Sequence, residues 1–93
     1  MNKYEIMFII RPNLEDDQRN EVLENIKSII TSSNGTVDNV NEWGLREFAY
    51  EIKKFNKGYY VIVDATASAE GIAELDRLSR INANILRHMI IRK

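Results

Sequence analysis

The sequence predicts an α+β domain of element order β-α-β-β-α-β, a four-stranded antiparallel sheet with two helices on one face. Three observations carry that expectation. Four stretches show the alternation of half-buried strands or a short apolar run. Two stretches repeat apolar residues every three or four positions, the first at i, i+4, i+7 and i+8, the spacing of an amphipathic helix. The helical stretches fall after the first and third strands, which is the order of two βαβ halves. The 93 residues are expected to form one domain over 1–93, with chain enough for a single core.

Lys3–Ile10 reads as the first strand, with Tyr4, Ile6, Phe8 and Ile10 on one face and Glu5, Met7 and Ile9 on the other. Both faces turn apolar from Ile6 onward, which suits a central strand. Arg11-Pro12-Asn13 stops it, because proline cannot donate to a sheet ladder. Asn13 is expected to cap a helix whose first turn carries Glu15, Asp16 and Asp17, favourable at the positive end of a helix dipole. That helix runs to about Ser32 on a stripe of Val22, Ile26, Ile29 and Ile30 with Leu23 beside it, and Asn34-Gly35 ends it.

Thr36–Lys54 is the second strand. Its in/out parity slips between Val37 or Val40 and Phe48, so a bulge is expected at Gly44. Phe55-Asn56-Lys57-Gly58 reads as the turn of a hairpin into Tyr59–Ala67. There Val61, Val63, Ala65 and Ala67 make the core face, and Tyr60, Asp64 and Thr66 the wetter one. Ser68 can cap a second helix with Glu70 in its first turn and with Ile72, Leu75 and Leu78 on its apolar side. It ends near Arg80, and Asn82-Ala83-Asn84 leads into a last strand, Ile85–Arg92. Folded together these elements give the ferredoxin-like arrangement, with strands one and three central and strands two and four at the edges. Helices then cover one face. Met7, Ile9, Tyr60 and Ile62 look out from the other, or meet a partner there.

Composition narrows the function classes. There is no cysteine, hence no disulfide frame or thiolate metal site, and the one histidine leaves no loop spaced for a metal. No apolar run approaches the roughly 20 residues that span a bilayer. The start, Met-Asn-Lys-Tyr-Glu, lacks the apolar core of a signal peptide, so a mature cytoplasmic protein without a membrane partner is expected. The net charge of −1 argues against a nucleic-acid binder with a wide basic face. Charge is unevenly spread, however. Five acids lie between Leu14 and Glu24, and five bases with no acid lie from Arg77 to Lys93. A local basic patch suffices for phosphate contacts. The plainer reading places the acids at a helix N-terminus and the bases on a solvated rim.

Enzymatic chemistry finds no foothold. His88 lies in a strand between Arg87 and Met89, without marks of activation, and is expected on the surface or rim. No glycine-rich phosphate loop is present. The loop after strand one carries Glu15 and Asp16, which would repel the anion an acyl-phosphate enzyme must hold. No cofactor, metal or small-molecule substrate is expected. An RNA recognition motif shares the topology, and Lys57-Gly58-Tyr59 opens like its third strand. Val61 then replaces the second stacking aromatic and shares its parity with the core, so base stacking there is disfavoured.

The most informative stretch is Trp43–Ile52, Trp-Gly-Leu-Arg-Glu-Phe-Ala-Tyr-Glu-Ile. It alternates Phe48, Tyr50 and Ile52 against Glu47, Ala49 and Glu51, and carries both signs of charge, the way edge strands are kept from uncontrolled pairing. An edge with a bend, aromatics and mixed charge suits docking of one chosen partner. This stretch resembles the signature of the bacterial small-subunit ribosomal protein six family. Tyr4-Glu5-Ile6, Arg11-Pro12-Asn13, Gly58-Tyr59, and Arg80-Ile81 followed by Ile85, Arg87 and Met89 also fall where that family has them, so the resemblance spans the chain. Phe48 stands where the family usually has Leu, and Glu51 where many members have Pro. The acidic C-terminal tail of some members has no counterpart up to Lys93.

The resemblance implies a structural protein of the small ribosomal subunit, in the cytoplasm. It would bind the central domain of small-subunit ribosomal RNA jointly with small-subunit ribosomal protein eighteen. A near-neutral chain fits that picture, since few bases mean weak RNA binding alone. The second strand, with Glu42, Trp43, Arg46, Phe48 and Tyr50, is then expected to meet the partner protein. Lys3, Lys53, Lys54, Arg87, Arg92 and Lys93 are expected to meet phosphates, against the plainer reading of each as a solvated charge. The alternative is a stand-alone regulatory or ligand-sensing domain, since small modules of this topology also pair edge to edge and bind metabolites.

Overall fold

In a computed structural model that describes residues 1–93, β1 (Asn2–Ile10), α1 (Asp16–Ser32), β2 (Thr36–Ile52), β3 (Phe55–Ala67), α2 (Ala69–Ile81) and β4 (Ile85–Arg92) follow in the order expected. All pairings are antiparallel and the sheet order is β2-β3-β1-β4. This is the ferredoxin-like arrangement. β1 is central because its two edges are both taken, Phe8 lying opposite Val61 on one side and His88 on the other. The core fills the gap between sheet and helices. Ile6, Phe8 and Ile10 meet Val61, Val63 and Ala65 of β3, the α1 stripe Val22, Leu23, Ile26 and Ile30, and Ile72 and Leu75 of α2. Each large side chain so buried stabilises the fold by about 1.5–3 kcal/mol.

The helix ends differ in detail from expectation. The N-cap of α1 is Glu15, whose backbone N–H donates to Gln18 Oε1 at 3.1 Å, so Asn13 stays in the loop. At the other end Asn34-Gly35 ends the helix as expected, with Asn34 taking a positive φ of 66°. Gly35 is required for another reason. A Cβ there would lie 2.9 Å from the carbonyl oxygens of Ile30 and Thr66. Ser68 caps α2 as expected, its Oγ accepting from the Gly71 N–H at 3.1 Å.

The larger difference is in the β2–β3 hairpin. The turn is Lys53-Lys54, both with positive φ (49° and 70°), and Ile52 pairs with Phe55 across it. Both lysines therefore leave the strand, and Phe55–Gly58 joins β3 instead of forming the turn. β2 is also more irregular than one bulge allows. Its register shifts past Asp38, past Trp43 and between Glu47 and Ile52. The expected bulge is the second of these, where Gly44 adopts φ 85° opposite Tyr60.

Gly58 explains how the distal half of β2 lies. A Cβ on Gly58 would come within 2.5 Å of Ile9 Cγ2 and 2.7 Å of Phe48 Cζ. Phe48 thus rests directly on bare backbone, beside Ile9 and on the face the helices leave open. Ile9 was expected to look out from that face, and instead it is only 3% exposed, because Phe48 and its neighbours cover it.

Gly58→Ala should destabilise the fold by roughly 1–3 kcal/mol, since overpacking forces Phe48 or Ile9 off its rotamer. Phe48→Ala in the same chain should recover part of that loss, because the two sites share the contact. Urea unfolding of the two single variants and the double variant measures the coupling, and additive losses would contradict the packing described.

Candidate functional site

Cross-strand pairs place Glu5, Met7 and Ile9 of β1, Tyr60, Ile62 and Asp64 of β3, and Arg87, Met89 and Ile91 of β4 on the helix-free face. The two register shifts ahead of it decide where the end of β2 points. Trp43 is the extra residue of the bulge, and its ring lies parallel to Tyr60 at 6.4 Å between centroids and 3° between planes. Phe48 tilts against the same Tyr60 ring at 6.1 Å. Glu47–Ile52 then borders a shallow apolar groove of about 360 Å³, walled on its other side by Met7, Ile9, Arg87 and Met89. Of the expected partner-facing residues, the structure brings Trp43, Phe48 and Tyr50 to this face. Tyr50 stays 83% exposed and Trp43 47%, too much apolar surface for a core role. Arg46 is exposed, with its guanidinium donating to the Leu45 carbonyl at 3.1 Å.

Glu42 goes elsewhere. Its Oε1 accepts from the Tyr59 hydroxyl at 3.0 Å. Over that ring stands the Arg19 guanidinium, 4.2 Å from the centroid, itself bonded to Asp16 at 2.6 Å. The chain Glu42–Tyr59–Arg19–Asp16 ties the edge strand to the first turn of α1. Burial, and then the Glu42 carboxylate, hold the Tyr59 pKa above its ordinary value, while Arg19 pulls the other way. Sequence reading missed this link because Tyr59 had been assigned no partner. Its parity with Val61 was the available signal.

The expected phosphate contacts divide between opposite ends of the sheet. Lys3, Arg92 and Lys93 lie at the end formed by the start of β1 and the end of β4. There Lys93 is already engaged by Asp64 at 3.0 Å and Glu5 at 3.7 Å, and Arg92 donates to Asn2 Oδ1 at 2.9 Å. The hydrogen bond to Asp64 is the first cause of a raised Lys93 pKa; desolvation opposes it, and attraction to Asp64 and Glu5 adds to the rise. Lys53, Lys54 and Arg87 occupy the other end. The hairpin crosses the sheet there, so that Lys53 and Arg87 line one small cavity with Arg80 of α2. Arg11, over the Phe55 ring at 5.4 Å, adds a further cation nearby. Arg80 was missed as a site residue. The run of bases from Arg77 onward was the signal for it.

His88 is on the rim, as expected, but with a partner. Its side chain is 12% exposed, and Nε2 lies 2.6 Å from Asp76 Oδ1. The other Asp76 oxygen takes Arg80 at 3.0 Å.

The structure thus carries an exposed apolar groove along an edge strand and a small cluster of bases at the hairpin end. The family model described as Ribosomal protein S6 matches residues 3–92. The chain belongs to the ribosomal protein S6 family. It is 48% identical over 92 residues to the small ribosomal subunit protein bS6 of Alkaliphilus oremlandii, covering 99% of this chain and 97% of that one. With the bS6 of Clostridium acetobutylicum it shares 48% over 91 residues, 98% and 96% of the two chains. The crystal structure of 30S ribosomal protein S6 from Thermotoga maritima superposes with a TM-score of 0.93 at 38% identity, covering 99% of this chain and 87% of that one. A protein of Arabidopsis thaliana also superposes, with TM-score 0.56 and 11% identity over 100% of this chain and 93% of its own, a likeness of fold alone. The chain is therefore a structural protein of the small ribosomal subunit, a component of the cytoplasmic ribosome and not an enzyme. S6 membership decides against the free-standing ligand sensor. No helix is long and apolar enough to cross a membrane.

The Tyr59 link has a pH signature. A raised phenol pKa means its contribution to stability is complete below the ordinary value of 10.0 and is lost as pH rises through the raised one. Glu42→Gln keeps a hydrogen-bond acceptor and removes the charge. The Tyr59 phenol should then titrate at lower pH than in the unaltered chain. Tyrosinate absorbance against pH in the two chains checks this, and superposable titration curves would contradict the pairing.

Proposed function

We propose that this S6-family chain, with residues 1–93 acting as one domain, binds the central domain of small-subunit ribosomal RNA jointly with small-subunit ribosomal protein eighteen. The observation that carries the reading is the division of its surface. The helix-free face and β2 offer an apolar groove with Trp43, Phe48 and Tyr50 about it, which is chemistry for a protein partner. The hairpin end offers Lys53, Lys54, Arg80 and Arg87, which is chemistry for phosphate. The cations gathered at the hairpin end are few, so counterion release on RNA binding is small and affinity for RNA alone is weak. A basic partner seated on β2 would enlarge the contact and place both proteins on one RNA segment. Lys3, Arg92 and Lys93 take a smaller share, because Lys93 and Arg92 are already held by Asp64, Glu5 and Asn2.

Binding of the chain to a central-domain RNA fragment across a salt series, with and without the partner, tests this. Tight and salt-sensitive binding is expected only with both proteins present. Tight binding by this chain alone would contradict the joint mode. Replacing Lys53 and Lys54 together by Met should lower the steepness of log K against log salt by roughly 1–2, since each phosphate contact contributes about 0.9. Arg46→Met should weaken partner binding and make the β2 edge more prone to self-association. Unchanged partner affinity and unchanged solubility would remove Arg46 and the edge from the account.

A further inference from the structure

The cavity between the last turn of α2, the start of β4 and the hairpin tip is distinct from the apolar groove. It has a volume of about 240 Å³ and is lined by Lys53, Ser79, Arg80, Arg87 and His88, with Ile85 and Leu86 as its apolar wall. We infer that it seats one phosphate of an RNA backbone, an inference that rests on the RNA-binding reading above.

Three features argue for this. The first is charge. Lys53, Arg80 and Arg87 are three permanent cations in a lining that holds no carboxylate, and Asp76 beside it is bonded through one oxygen to Arg80 and through the other to His88. The C-terminal end of α2 opposes an anion with roughly half an elementary charge, which two surplus cations outweigh. The second is preorganisation. Asp76 at 3.0 Å occupies one edge of the Arg80 guanidinium and fixes its direction, while the remaining N–H groups stay available, and side-chain exposure of 72% keeps them reachable. The third is Ser79. It is 3% exposed, and its hydroxyl finds no hydrogen-bond partner within the protein. A buried hydroxyl is ordinarily satisfied, and one left over beside three cations supplies a neutral donor next to the charged ones. At the opposite end of the sheet the balance of charge differs, since the single Lys93 ammonium meets two carboxylates, Asp64 and Glu5.

The test uses the full chain in two arms. Inorganic phosphate is titrated into the isotope-labelled protein, and amide shifts are followed. Saturable shifts confined to Lys53, Ser79–Ile81 and Ile85–His88 are expected, absent in Arg80→Gln, whose far-ultraviolet and amide spectra should otherwise keep the folded pattern. In the second arm, Arg80→Gln with the partner protein should bind the central-domain RNA fragment about tenfold more weakly and with a log–log salt slope shallower by roughly 1. Phosphate shifts spread over Lys3, Arg92 and Lys93, or none that saturate, would overturn the pocket. Saturable phosphate shifts with unchanged RNA affinity and slope in Arg80→Gln would overturn RNA as its ligand. Failure of the wild-type chain and partner to bind RNA at all, with the phosphate shifts intact, would strike the ribosomal RNA reading itself, a result distinct from either.

Discussion

The seating of Phe48 on Gly58 is the contact on which the functional half of the molecule depends. Two helices cover one face of a four-stranded sheet, and the other face must be finished without them. The long edge strand does this by shifting register, turning Trp43 onto Tyr60 and bringing Phe48 down beside Ile9 where Gly58 has no side chain. An ordinary residue at position 58 would lift that end of β2 away. The groove, the exposed Tyr50 and the hairpin position all follow from the close approach.

Charge is then divided by the same geometry. Acids crowd the first turn of α1 on the β2 side, where Asp16 holds Arg19 over Tyr59, and the bases of the hairpin and of the α2 end gather at the same end of the sheet on the β4 side. A chain with net charge −1 thereby keeps a compact basic corner beside β4. That suits a protein that contacts RNA through a few placed phosphates and relies on a partner for the rest, more than one that carries a broad cationic face.

Most of the fold was legible because periodicity and burial coincide. The strand faces Tyr4–Ile10 and Val61–Ala67 and the α1 stripe are buried as their spacing predicts. What was not legible concerns residues serving a purpose their type does not announce. Lys53 and Lys54 take the left-handed turn, while the nearby Asn56 and Gly58, the ordinary turn formers, sit in β3. Gly58 and Gly35 answer to close approach rather than to φ. Of the candidate site, the Trp43–Ile52 stretch identified the edge, but three register shifts fixed which side chains share a face. Glu42 left the group for Tyr59, and Arg80 joined Lys53 and Arg87 only through the fold.

Amide hydrogen exchange on the chain with the partner protein, and then with both partner and RNA fragment, tests the division of the surface most directly. The account predicts that the partner alone slows exchange in Trp43–Ile52 and leaves the helices unchanged, and that RNA then slows Lys53, Lys54 and Ile85–His88. Protection by the partner on the outer faces of α1 and α2, with β2 exchanging as before, would contradict it.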